Sequence, residues 1–75
     1  GPMRKHPKDT PLSEWPPAWL KFEVASLLDT PGYVMMTDME RSDAGYPVSL
    51  DQMRAFIRNR READAMLQNP DLIPE

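Results

Sequence analysis

The chain contains no cysteine, only one histidine and only three glycines among its 75 residues. Without cysteine there is no disulfide, thiol nucleophile or thiolate-bound metal, and a reducing compartment is expected. The three glycines, Gly1, Gly32 and Gly45, stand apart and form no phosphate-cradling loop. No apolar run approaches the roughly 20 residues needed to cross a bilayer, and no charged start leads into a hydrophobic segment, so no membrane partner and a cytoplasmic location are expected. Cationic excess is missing too: nine Lys and Arg face twelve Asp and Glu, a formal charge of −3, which opposes binding driven mainly by phosphates.

What is present is proline, nine residues of it, and methionine, six. Gly1-Pro2 ahead of Met3 reads as the scar of a removed tag, leaving Met3 to Glu75 as the expected native chain. A chain this short supports one small core. Pro2, Pro7, Pro11 and Pro16 remove backbone donors across residues 1–16, which predicts a flexible arm, with a turn near Thr10-Pro11-Leu12-Ser13.

From Pro17 the pattern becomes helical. Leu20, Val24, Leu27 and Leu28 share one face, predicting a helix over 17–28 stopped by Asp29-Thr30-Pro31-Gly32. Residues 33–41 favour a short helix over a strand, because Met and Glu suit helices better. Ser42 to Pro47 reads as a loop in which Gly45 can take positive φ. Ser49 and Gln52 form the S-x-x-Q capping box of a last helix reaching about Leu67, with Met53, Phe56, Ile57, Ala63 and Leu67 on its apolar face and Arg60 interrupting it. Asn69-Pro70 ends that helix, and residues 68–75 form a tail whose Leu72 and Ile73 either fold back or serve a partner. The fold expected is all-α, a domain of about three helices over 17–67 with a proline-rich arm and a short tail.

Trp15 and Trp19 bracket the pair Pro16-Pro17. With Pro16 at the helix cap and Pro17 at the first helical position, Trp15 and Leu20 stand where a hydrophobic staple would pack. Anchoring is the favoured role for these tryptophans, and contact with a partner is the other, Trp19 bordering the core or lying exposed. The segment lacks the P-x-x-P spacing of a polyproline ligand.

Little points to chemistry. His6 sits in the arm without a base partner, and Asp38, Glu40 and Asp43 lack the register of a calcium loop, so neither catalysis, a metal nor a cofactor is expected. Met53 suits the core, while Met35, Met36, Met39 and Met66 fit either a core or an adaptable interface. Arg54, Arg58 and Arg61 fall at i, i+4 and i+7, along one side of the last helix, with Arg60 turned toward the apolar side. Three roles compete for that row: a solvated face paired with Asp51, Glu62 and Asp64; forked contacts to a protein's carboxylates; or nucleic-acid contact in a layout resembling a helix-turn-helix. The loop before Ser49 is longer than the tight turn of that motif.

The two stretches MRKHPKDTPLSEWPPAWLKFEVASLLDTPGY and SLDQMRAFIRNRREADAML, taken together, resemble the small RNA-polymerase-binding regulators of Xp-type Xanthomonas bacteriophages. The resemblance implies a monomer, acting in the cytoplasm of the infected host, that engages the β and β′ subunits, displaces the σ factor to block initiation, and promotes antitermination. It carries over no residue assignments. From the residues themselves, the candidates for partner contact are Arg4, Lys5 and Lys8 in the arm, Trp19, and Arg54, Arg58 and Arg61 on the last helix. A small DNA-binding regulator using the last helix is the alternative.

Overall fold

The computed structural model describes residues 9–68, and within them the fold is all-α, without strands. Helix α1 spans Pro17–Leu28, α2 Asp38–Ala44 and α3 Leu50–Gln68, with 3-10 turns at Leu12–Glu14 and Pro31–Met35. Arg4, Lys5 and Lys8, and the tail from Asn69, lie outside the described residues.

α1 begins as its prolines dictate. Pro16 is the cap, in extended conformation, and Pro17 takes the first helical position, where a missing N–H costs nothing. Trp15 and Leu20 are both buried in the core, as a staple requires. The turn before them carries Trp15 inward, and the indole Nε1 donates to the Thr10 carbonyl at 2.9 Å. Leu12 also packs against the core, so the packed unit begins ahead of Pro17, inside the segment expected to be an arm.

α1 ends with its last four carbonyls occupied. Thr30 N–H donates to Ala25 O and Asp29 N–H to Ser26 O, Arg60 Nη1 reaches Leu27 O at 3.0 Å, and Thr30 Oγ1 donates to Leu28 O. The crossed backbone pair is a Schellman ending, and it puts Asp29 in the left-handed region, with φ 58° and ψ 41°.

Residues 33–41 are not one short helix. The 3-10 turn ends where Met36 becomes extended, and α2 starts afresh at a capping box: Thr37 Oγ1 accepts from Glu40 N–H, and Glu40 Oε1 accepts from Thr37 N–H. Ser42, Asp43 and Ala44, expected in a loop, continue α2 until Gly45, at φ 80°, terminates it. The T-x-x-E cap moves the start of the element five residues and its end three residues along the chain.

The Ser49 capping box forms as the sequence predicts, and Gln52 Oε1 also accepts the Val48 N–H. Met53 and Ile57 are fully buried against α1, but the apolar face stops there. Ala63 and Leu67, expected on that face, are exposed. Length explains the correction. At about 1.5 Å per residue, the 19-residue α3 outruns the 12-residue α1 by roughly 10 Å, and residues 62–68 are exposed.

The core joins Trp15, Leu20, Val24, Ala25, Tyr33, Met53 and Ile57. Burying an aliphatic side chain of this kind contributes about 1.5–3 kcal/mol. Against it lies Arg41, the buried charged residue among those described. Its Nη2 donates to the Tyr33 and Val34 carbonyls at 2.9 and 3.0 Å, and its Nε donates to Tyr33 O at 3.1 Å. Nη1 reaches Asp38 at 3.3 Å, and the guanidinium lies 4.6 Å from the Tyr33 ring centre. The Tyr33 hydroxyl donates to Pro47 O at 2.8 Å.

Two predictions come from this arrangement. Arg41→Ala takes the Arg41 donor from the Val34 carbonyl and leaves the Tyr33 carbonyl only the Met36 N–H, so urea denaturation should show a loss of about 1–3 kcal/mol, and Arg41→Lys, without the fork, should recover only part. Burial raises the Tyr33 hydroxyl pKa above its ordinary 10.0; the Arg41 charge lowers it, and Asp38 raises it. The folded state thus holds this proton more tightly than the unfolded chain. Its contribution is complete below about pH 10 and declines as pH rises through the folded value. Urea midpoints across alkaline pH should fall more steeply in the wild type than in Tyr33→Phe; equal slopes would contradict the assignment.

Candidate functional site

The arginine row on α3 is continuous, but its members differ in what holds them. Arg54 is half-buried and pairs with Asp51 at 3.0 Å, one turn back. Arg61 reaches toward α1, its guanidinium 5.1 Å from the centre of the Trp15 ring. Arg58 points to solvent with no partner among the described residues. Arg60 turns to the apolar side as its position predicts, joining Leu27 O and lying 5.1 Å from the Phe56 ring centre. Of the three arginines expected to form one contact face, Arg58 alone has no partner among the described residues.

Trp19 borders the core, half-buried, edge-on to Trp15 with ring centres 6.1 Å apart. The pair forms one aromatic block at the start of α1, capped by Arg61. Its role is therefore largely internal.

The clearest open surface lies between α1 and the 3-10 turn Pro31–Met35. Phe22, Ala25, Ser26 and Asp29 recur at i, i+3, i+4 and i+7, and Pro31, Val34 and Met35 of the 3-10 turn face them across a groove of about 560 Å³. Phe22 is 61% exposed and Met35 85% exposed, an unusual outlay of apolar surface for a chain whose core is this small. Met39, further along, is also exposed. A shallower hollow lies between Tyr46, Pro47 and Phe56.

The groove follows from local structure. The Asp29 reversal folds the 3-10 turn back along α1, and burial of Tyr33 pins the turn's inner side, so Met35 faces outward. Sequence reasoning left Met35 open between core and interface and passed over Phe22. The signal was there: Phe22 sits two residues from Leu20, off the Leu20, Val24, Leu28 stripe, on a face that solvent would otherwise fill with polar groups.

Among the described residues, no three His, Cys, Asp or Glu side chains gather as a metal site, and no helix is long and apolar enough to cross a membrane. The groove offers apolar contact and one carboxylate, Asp29, which suits binding. No family model, curated protein or solved structure matches the chain.

The two kinds of arginine should separate in stability measurements. Arg61→Ala should lower unfolding free energy by about 0.5–1 kcal/mol through loss of its contact with Trp15, while Arg58→Ala should leave it within about 0.5 kcal/mol. Urea midpoints of both variants check this, and a larger effect at Arg58 would reverse the assignment.

Proposed function

We propose that this chain is a non-enzymatic regulator that binds the β and β′ subunits of bacterial RNA polymerase, displaces the σ factor to inhibit initiation, and promotes antitermination. The choice of polymerase rests on the resemblance of its two long stretches to phage regulators of that type. A protein partner is supported by one observation above the others, the apolar groove presenting Phe22 and Met35 to solvent. Large apolar and aromatic side chains so placed are the usual anchors of protein interfaces, and flexible thioethers adapt to the surface they meet.

The DNA-binding alternative is less well supported. Arg54, Arg60 and Arg61 are engaged within the chain, and the exposed end of α3 carries Glu62 and Asp64 beside its cations. Arg58 remains for a polar contact at the rim of a protein interface. The basic residues Arg4, Lys5 and Lys8 are the second candidate contact.

Native mass spectrometry of bacterial RNA polymerase, as core and as holoenzyme, tests this reading. The chain should bind core and release σ from holoenzyme. Replacing Phe22 and Met35 together by serine should weaken binding at least tenfold, about 1.4 kcal/mol, with little change in Tm. Arg58→Glu should weaken it less. Steeply salt-dependent retention on duplex DNA without polymerase binding would favour the alternative.

A further inference from the structure

Asp29 occupies a position that local physics disfavours twice over. The left-handed conformation suits Gly or Asn better than Asp, and a carboxylate at a helix C-terminus faces the negative end of the macrodipole. The backbone of Asp29 completes the end of α1, but its exposed carboxylate makes no hydrogen bond or ion pair among the described residues. Among the described residues nothing uses that charge. It stands in the wall of the apolar groove, where no cationic side chain accompanies it. Beyond Met35, the chain continues with the exposed acids Asp38 and Glu40.

We propose that the groove between α1 and the 3-10 turn receives an amphipathic segment of a protein partner, one that seats a large apolar side chain between Phe22 and Met35 and sets an adjacent Lys or Arg against Asp29. The occupant rests on the protein-binding reading above and deepens it. Charge complementarity selects the class: the Asp29 carboxylate beside an apolar floor, with no cation lining the groove, disfavours both an acidic segment and an anionic lipid surface. The groove also has room for a side chain, since neither wall fills it.

Short synthetic peptides with the same leucine face, one carrying lysine and the other glutamate on its polar side, test the proposal against the full chain. Amide shifts should map the leucine-lysine peptide to Phe22, Ser26, Asp29, Val34 and Met35, with affinity at least about tenfold above the glutamate peptide at low salt. Asp29→Asn, which removes the charge but tolerates the left-handed conformation, should reduce that preference by about threefold while leaving Tm equal or higher. A purely structural Asp29 would give the Tm change alone and would overturn the proposal. Equal affinity for both peptides, shifts confined to α3, no binding, or concentration-dependent self-association that closes the groove would also overturn it.

The polymerase measurement separates the two levels. If the peptides fail while polymerase binding still depends on Phe22 and Met35, the function stands and the occupant is wrong. If the lysine peptide binds as expected while polymerase does not, the occupant stands and the choice of partner falls.

Discussion

The fold depends on a charged group in a place where charge is costly. Arg41 is 2% exposed, and its burial would be prohibitive without the carbonyls it meets. Those carbonyls have room for it: a 3-10 turn ends with acceptors short of donors, and Tyr33 O, which takes the Met36 N–H, has a second lone pair free. Arg41 supplies three donor contacts to Tyr33 and Val34. The two liabilities offset each other. The same guanidinium packs on the Tyr33 ring, whose hydroxyl holds Pro47, so one side chain joins the 3-10 turn, α2 and the approach to α3. The core, seven buried apolar residues among those described, gains through this node a connection that hydrophobic contact alone would leave loose.

Arg60 performs a related task at the C-terminal end of α1, donating to Leu27 O from the third helix. With the Thr30 contacts it completes the helix end, and the chain can reverse sharply there. These arginines are best understood through the carbonyls they meet, since a planar fork can serve several acceptors where an ammonium would serve fewer. The fold thereby uses much of its positive charge internally. Among the described residues, Arg41, Arg54, Arg60 and Arg61 each meet a group of the chain itself, while Arg58 faces solvent.

The parts legible in the sequence were those with local causes. Pro16-Pro17 set the start of α1, the apolar stripe set its buried face, Gly45 took the positive φ, and Ser49 with Gln52 started α3. The middle was misread because Met and Glu propensities were weighed over Tyr33 to Arg41 as one segment, while the Thr37-to-Glu40 cap divides it. Burial of Arg41 depends on carbonyls seven and eight residues away that become acceptors only once the turn has formed. Periodicity on α3 likewise continues past Arg60, but a periodic face is buried only where a second element lies opposite it. Arg58 was legible as an outward cation; the separate commitments of Arg54 and Arg61 required tertiary structure.

The groove shows the converse of that rule. Phe22 lies on the face of α1 that α3 does not cover, and Met35 lies on the face of the 3-10 turn opposite buried Tyr33. Both are exposed because the elements that carry them already spend their other faces on the core. Closing the groove from within would need another element, and the short α2 is held by its cap at Thr37 and by Arg41. A chain of this size has few ways to present a large apolar surface without losing its core. Here the same reversal at Asp29 that packs Tyr33 inward turns Met35 outward, so the interaction that stabilises the domain also sets the geometry of its apolar groove.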